Sequence, residues 1–274
     1  MFKREKNCRY SFMNRIDDAA LTGIQPILPA NNLKKVSRIE VYRASLASPY
    51  EILKGNFSAL FDFNIFYLHR TNLTSNGTWR VELFSELGQT GIKTYDSNFF
   101  PAWNFQGQED FLDWEGGARS KFSVKYLPSK VIARSFRISI KDIGNANGFI
   151  QVSKIWLGEY YSPSVNPDWG SGFSWSGNAI TTRMPGGSLI SDGDQHWREL
   201  SMNFGWIKKE DRQFYSDLFR IVKTSKEFFF SLHPEKWDHI EKENTALVKF
   251  MTMPNLINYG YDAWLGSNSN IHEI

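Results

Sequence analysis

The sequence has few of the features that many function classes require. One cysteine, Cys8, is present in 274 residues, which excludes an internal disulfide framework and a cysteine-rich zinc site and suits a reducing cytoplasm. Basic and acidic residues number 32 and 29, a balance too even for a nucleic-acid footprint. No apolar run is long enough for a signal-peptide core or a membrane span. We therefore expect a globular protein with neither a nucleic-acid partner nor a membrane span.

Motifs for catalysis and metal binding are missing as well. The nucleophile elbow GxSxG, the phosphate-loop spacing and GxGxxG do not occur, and the five histidines lack metal-ligand spacing. His69 ends a strand with a buried pattern, which is typical of a structural histidine. Asp142, Asn145 and Asn147 lack the oxygen spacing of a calcium loop and predict a hairpin turn instead. The sequence predicts no enzyme activity, no metal and no cofactor.

One acidic and aromatic loop carries the only candidate ligand chemistry. Asp110, Asp113 and Trp114 lie in a polar, glycine-containing stretch over residues 106–119. Two carboxylates are enough to cleave a glycosidic bond, but no pair here is convincingly placed for it. The simplest interpretation is a solvated loop, and glycan contact by these three residues is the functional alternative.

Aromatic residues are abundant. The chain has 22 Phe, 11 Tyr and 10 Trp, which together make 16% of its residues. Aromatic side chains favour β-strands and are enriched in the cores of protein interfaces. This composition indicates a β-rich protein that uses part of its surface for contact with neighbours.

Strand patterns dominate the first half. Residues 57–68 are nearly continuously apolar, as in a strand that crosses a sandwich core, and residues 78–84 alternate between two faces. Residues 131–141 and 149–157 read as two further strands. The turn residues 142–148 lie between them, and Gly148 adopts positive φ at little cost. We predict an antiparallel hairpin from these two strands.

The second half has a different pattern. Residues 158–193 are rich in Gly, Ser, Asn and Pro and predict a linker or arm, whereas residues 208–223 have helical spacing of apolar side chains. The predicted organisation is an N-terminal arm over 1–25, a jelly roll over 26–157, a linker or arm over 158–193, and a β-sandwich with one flanking helix over 194–274. Candidate contacts between subunits are Lys3, Arg4, Trp169, Phe173 and Trp175.

Short motifs, taken in order, resemble those of tail structural proteins from long-tailed bacteriophages. The matching motifs are Pro29-Ala30-Asn31-Asn32-Leu33, Arg70-Thr71-Asn72-Leu73, Thr78-Trp79-Arg80-Val81, Tyr95-Asp96-Ser97, Phe136-Arg137-Ile138-Ser139-Ile140, Asn147-Gly148-Phe149-Ile150, Ile180-Thr181-Thr182-Arg183 and Arg198-Glu199-Leu200-Ser201. They cover most of residues 30–265, and none is a catalytic signature.

The resemblance implies a mainly β protein, with a galactose-binding-like jelly roll followed by a β-sandwich module with one flanking helix. It implies a structural role at the tail tip of a virion assembled in the host cytoplasm. The implied partners are further copies in a threefold or sixfold ring and other tail proteins of the tube, hub or fibres. Relatives of this jelly roll often bind carbohydrate, so a module that contacts host surface glycan is the alternative function.

Overall fold

The structure, a computed structural model, describes residues 6–35, 39–46, 50–102, 122–167, 171–192, 196–237, 239–260 and 263–274. These residues form two compact units. The jelly-roll unit comprises Met13–Tyr160 with Trp237–His239, and the helix unit comprises Met1–Phe12, Tyr161–Lys236 and Ile240–Ile274. The segment boundaries predicted from composition, at residues 25, 157 and 193, stay a prediction of how the chain divides into folding units.

The mainly β fold predicted from the sequence is confirmed. The strands are β1 Arg9–Ser11, β2 Ala20–Gly23, β3 Pro26–Leu28, β4 Tyr42–Ser45, β5 Glu51–Thr71, β6 Thr78–Phe84, β7 Lys93–Asp96, β8 Phe100–Pro101, β9 Phe122–Lys141, β10 Phe149–Gly158, β11 Gly172–Gly177, β12 Ile180–Arg183, β13 Leu189–Asp192, β14 His196–Lys208, β15 Phe228–Ser231, β16 Thr245–Phe250, β17 Leu256–Gly260 and β18 Ala263–Glu273. The helices are α1 Lys209–Val222 and α2 His239–Glu243, with 3-10 turns at Ala30–Lys34 and Leu87–Gln89.

Two long strands organise the jelly-roll unit. Residues 51–56 of β5 pair with residues 135–139 of β9, the register breaks between Asn56 and Phe61, and residues 61–69 then pair with residues 122–133. The first half of β5 lies beside β2, the second half of β9 lies beside β6, and the second half of β5 lies beside β10. Each long strand therefore takes part in both layers of a sandwich.

One apolar core fills the space between these layers. Its buried side chains come from both halves of the long strands and from their neighbours, and they include Phe57, Phe63, Phe66, Trp79, Phe136 and Ile155. The apolar run and the alternating strand predicted from the sequence thus lie in β5 and β6, against one core. This burial of aromatic surface is the main stabilising contribution in the unit.

The predicted hairpin of residues 131–141 and 149–157 is wrong. The first stretch lies in β9, and the second is β10, but β10 pairs with β4 and β5 rather than with β9. Strand β5 lies between the two, so their connection crosses over the end of β5. The predicted turn between these two stretches is confirmed, because Gly144 and Gly148 both have positive φ. A local turn signal does not decide which strand becomes the neighbour.

The helix unit contains a seven-stranded antiparallel sheet in the order β1, β15, β16, β18, β14, β11, with β17 paired to β18. The predicted helix is confirmed as α1, and its buried residues Tyr215, Leu218, Phe219 and Val222 contact the apolar core of this sheet. Glu210 and Asp211 lie in the first turn, where their negative charges interact favourably with the positive end of the helix dipole. The first described residues of the chain contribute β1, which pairs with β15.

Candidate interaction surface

The residues proposed for glycan contact, Asp110, Asp113 and Trp114, lie outside the described residues. The described residues that flank them are held at one end of the jelly roll. The Ala102 amide donates to the Gly77 carbonyl at 2.8 Å, and Phe122 pairs with His69. His69 is buried and lies 3.0 Å from the Tyr67 hydroxyl through Nδ1, in agreement with the structural role predicted for it.

The loops at this end are joined by a buried carboxylate. Asp142 accepts hydrogen bonds from the amide and hydroxyl of Thr74 and from Nδ2 of Asn145, which also donates to the Asn72 carbonyl. The loop between β9 and β10 is thereby fastened to the loop between β5 and β6. The oxygens of Asp142 are engaged in this contact, which fits a structural turn better than a cation site.

The side chain of Asn72, which begins a match to the glycosylation acceptor pattern, is also engaged in the fold. Its Nδ2 donates to the Phe149 carbonyl at 2.8 Å, and its Oδ1 accepts from the Gln151 amide at 2.7 Å. This side chain therefore holds the start of β10 in place.

A charged network covers part of the outer face of the jelly roll. The Glu82 carboxylate is 3% exposed and pairs with Arg80 at 3.0 Å, with Lys93, and with Arg137 at 3.6 Å. Arg80 and Lys93 also bind Asp96. The hydrogen bond from Arg80 holds the pKa of Asp96 well below its usual range. Each carboxylate has cationic partners, so the network stabilises strands β6 and β7.

The helix unit presents a different kind of surface, at the end of a long hairpin. Strands β11 and β14 pair from Gly172 opposite Ser201 to Gly177 opposite His196. After two residues the hairpin continues as β12 and β13, which pair only with each other. We call residues 180–192, with the turn between the two strands, the ribbon. The predicted linker or arm of residues 158–193 thus contains β11 and the ribbon.

The ribbon exposes apolar side chains. Every residue from 177 to 191 is exposed, and among them Ile180 is 72%, Leu189 61% and Ile190 51% exposed. Cross-strand partners share a face, so the register places Ile180 with its partner Asp192, and Thr182 with its partner Ile190, on one side. The other side holds Thr181 and Ser191, whose hydroxyls are 3.0 Å apart, and the pair of Arg183 with Leu189. One side of the ribbon therefore carries two exposed isoleucines.

The predicted contacts between subunits fall partly on this surface. Trp175 lies in β11 and is 65% exposed, and Phe173 occupies the same strand. Lys3, Arg4 and Trp169 lie outside the described residues. The ribbon itself was missed. The signal that could have found it is the turn sequence Met184-Pro185-Gly186-Gly187 between two short stretches with Ile and Leu.

The base of the hairpin is rigidly held. The buried Arg198, near the start of β14, places Nε and Nη2 each 2.8 Å from the Glu273 carboxylate. Its Nη1 and Nη2 also donate to the carbonyls of Lys242, Glu243 and Thr245. This guanidinium joins β14 to β18 and to the end of α2. The exposed ribbon therefore extends from a firmly bonded part of the sheet.

Within the described ranges, no group of three or more His, Cys, Asp or Glu side chains could hold a metal ion. No helix among these residues is long and apolar enough to cross a membrane.

No protein-family model and no curated protein matches this sequence. Among solved structures, the chain is similar to the carbohydrate-binding module CBM32-1 from a family 31 glycoside hydrolase of Clostridium perfringens. The TM-score is 0.38 at 12% identity over 54% of this chain and 99% of that one. It is also similar to the family 32 module of C. perfringens NanJ in complex with galactose, with a TM-score of 0.37 at 10% identity over 56% and 99%.

A third similar structure is the lectin-binding domain of Lectinolysin complexed with Lewis b, with a TM-score of 0.37 at 9% identity over 54% of this chain and 96% of that one. None of these three structures is a phage tail protein. At these scores and identities, the likeness does not decide the function of this chain.

Proposed function

We propose that this chain is a structural assembly protein that binds neighbouring protein subunits through the ribbon. The observation that supports the proposal is the pair of exposed isoleucines, Ile180 and Ile190, on one side of the ribbon. An isolated two-stranded hairpin is marginally stable in water, and covering each isoleucine would contribute about 1.5–3 kcal/mol. A neighbouring subunit that covers this face would stabilise the ribbon as well as the contact.

The resemblance of the sequence motifs to bacteriophage tail proteins suggests which assembly this is. We place the chain at a tail tip, in a threefold or sixfold ring next to tube, hub or fibre proteins. The aromatic-rich composition and the exposed ribbon are both in keeping with repeated contacts in such a ring, where symmetry multiplies each contact. The localisation in a virion is part of the same proposal.

The experiment is electron cryo-microscopy of particles from the source host, with the wild-type chain and with the double variant Ile180→Ser/Ile190→Ser. We expect wild-type density in a ring at the tail tip, with the ribbon against a neighbouring subunit. The double variant should fold but fail to enter the particle. The matched control is Thr181→Ser/Ser191→Thr on the polar face, which should assemble normally. Absence of the wild-type chain from every particle would contradict the proposal.

The second candidate function is glycan binding, for which the acidic and aromatic composition around Asp110, Asp113 and Trp114 is the supporting observation. This function has counterparts among the three similar structures named above, whereas the assembly function has none there. We expect saturable binding to a host surface glycan on a glycan array, lost in Trp114→Ala and retained in Trp175→Ala. Equal binding by both variants would reject the assignment of the site to this loop.

A further inference from the structure

The ribbon exposes apolar side chains on both of its sides. Ile180 and Ile190 lie on one side, which we call the isoleucine side. Leu189 is 61% exposed on the opposite side, which we call the leucine side, because successive side chains of a strand point to opposite faces. A neighbour that covers only the isoleucine side therefore leaves Leu189 in water.

The rest of the helix unit does not hold the ribbon. Strands β12 and β13 pair only with each other, and the side-chain hydrogen bonds of Thr181 with Ser191 and of Arg183 with the Gly187 carbonyl stay inside the ribbon. In the turn, a Cβ added at Gly186 would meet no atom within 4 Å beyond its chain neighbours. Among the described residues, both sides and the turn are thus open to a partner.

One positive charge lies on the leucine side. Arg183 and Asp192 are the only ionisable residues of the ribbon, and Asp192 pairs with Ile180 at its base. Arg183 is the cross-strand partner of Leu189, and its Nη1 donates to the Gly187 carbonyl at 3.2 Å. A guanidinium has five N–H donors, and covering it without a counter-charge is unfavourable. A partner that covers Leu189 must therefore present a carboxylate to Arg183.

We infer that the ribbon enters a cleft of a neighbouring protein subunit, with two apolar walls and a carboxylate on the wall that faces Arg183. This inference rests on the proposed function and names the chemistry of the partner. The distance from Ile180 to the turn residue Met184 sets the depth of the cleft at about 13 Å, at about 3.3 Å per residue. For walls built of strands, the two walls lie about 20 Å apart, because stacked sheets pack about 10 Å from each other.

A lipid bilayer fits the ribbon less well than a protein cleft does. In the described part of the chain, the outer edges of β12 and β13 carry N–H and C=O groups that no strand pairs. Such groups are costly in hydrocarbon, where no water can satisfy them, and so is Arg183 one residue before the turn. The walls of a protein cleft can supply both the hydrogen-bond partners and the counter-charge.

The test compares two adjacent residues on opposite sides of the ribbon. Leu189→Cys and Ile190→Cys are each expressed with an excess of the wild-type chain, and their reaction with a maleimide is followed in purified particles and in the purified chain. Cys8 is fully buried, so the wild-type chain gives the background. We expect both new thiols to react at least about tenfold more slowly in particles, because the reagent must wait until the ribbon leaves the cleft. Full labelling in urea confirms that each thiol is present.

The carboxylate is tested by charge reversal at Arg183. Arg183→Glu should enter particles at least about tenfold less often than the wild-type chain expressed with it, whereas Arg183→Lys, the matched control, should compete well. Mass spectrometry of purified particles gives the ratio. Arg183 is exposed, so the thermal midpoints of both variants should match the wild type. Equal entry of Arg183→Glu and Arg183→Lys overturns the assignment of a carboxylate to the partner.

The outcomes separate this inference from the proposed function. Protection of Ile190→Cys alone shows a contact on one side, which overturns the inference and leaves the assembly role. Rapid labelling of both thiols in particles overturns the inference and removes the ribbon from the assembly contact. Sedimentation of the purified chain with vesicles of phosphatidylcholine and phosphatidylglycerol, lost in Leu189→Ser and Ile190→Ser, overturns the protein cleft in favour of lipid. A chain absent from every particle removes the proposed function and the inference with it.

Discussion

Trp79 in the jelly-roll unit and Trp175 in the helix unit show how differently the two regions use the same residue. Trp79 is fully buried, contacts Phe100 with ring centroids 4.6 Å apart and donates its indole N–H to Ser123 at 2.9 Å. Trp175 lies in a terminal strand and is 65% exposed. The jelly roll completes its core with its own residues. The hairpin end of the helix unit keeps apolar surface available.

The strand edges show the same difference. In the jelly roll the strands β3 and β7, at the two ends of the sheet order, carry proline and charge, whereas β11 carries neither and the ribbon has two exposed isoleucines on one side. Substitutions in the jelly-roll interior should therefore reduce stability, and substitutions on the ribbon should reduce association.

The largest difference is expected between the two tryptophans. Trp79→Ala leaves a cavity and removes an indole hydrogen bond, so it should lower the free energy of unfolding by about 3–5 kcal/mol. Trp175→Ala should lower it by less than about 0.5 kcal/mol. Urea denaturation of both variants measures the difference, and equal losses would refute the contrast between a closed and an open region.

A nearly equal loss in the free energy of unfolding is expected from a substitution at the base of the hairpin. Arg198→Ala leaves the largely covered Glu273 carboxylate without its guanidinium partner and should cost about 3 kcal/mol. The control is Arg183→Ala in the exposed ribbon, whose effect should stay within about 0.5 kcal/mol. Arg198→Met combined with Glu273→Gln should recover part of the loss. If it recovers nothing, packing rather than the ion pair carries the effect.

Removing the hydrogen bonds that join the jelly-roll loops should have a smaller effect on the free energy of unfolding. Asp142→Ala removes the acceptor for the amide and hydroxyl of Thr74, and we expect a loss of about 2 kcal/mol in urea denaturation. Thr74→Val removes only the hydroxyl bond and should cost about 1 kcal/mol. A larger effect from Thr74→Val than from Asp142→Ala would show that the carboxylate does not hold the loop.

The two units should also respond to opposite extremes of pH. Burial raises the pKa of the Cys8 thiol from 9.0 to about 12, so only the unfolded chain ionises as pH rises above 9. Stability is then complete below pH 9 and falls by about 1 kcal/mol between pH 9 and 10 through this group. Thermal denaturation against pH should show a shallower alkaline decline for Cys8→Ala, whatever its stability at neutral pH.

The jelly roll should instead lose stability as the pH falls. The pKa of Asp96 is lowered, first by the hydrogen bond from Arg80, so its contribution is complete above the usual carboxyl range and is lost as pH falls. Asp96→Asn should be less stable than the wild type at neutral pH and lose less on acidification. Parallel curves for variant and wild type would show that this pair does not contribute to acid stability.

The smallest effect on folding, and the clearest effect on association, is expected on the ribbon. Ile180→Ser/Ile190→Ser should leave the free energy of unfolding within about 0.5 kcal/mol of the wild type, because both side chains are already exposed. Its failure to enter particles would then be a defect of contact rather than of folding. A large loss of stability in the isolated chain would show that the ribbon packs against its own unit.

Local patterns in the sequence are enough to indicate the types of the secondary-structure elements. Apolar runs and alternation indicated β5 and β6, helical spacing indicated α1, and the glycine at residue 148 indicated a turn with positive φ. These signals are local, because side-chain periodicity and backbone freedom depend on residues only a few positions apart. The class of the fold follows from them.

Which elements become neighbours, and which aromatic residues stay exposed, depends on long-range packing. Backbone groups of any strand can pair with any other, so nothing local placed β5 between β9 and β10, or β1 beside β15. Trp79 and Trp175 are indistinguishable as residues, and burial of one and exposure of the other follow from the packing of distant segments. The position of β11 at the end of its sheet and the exposed isoleucines of the ribbon could be recognised only once these long-range pairings were known.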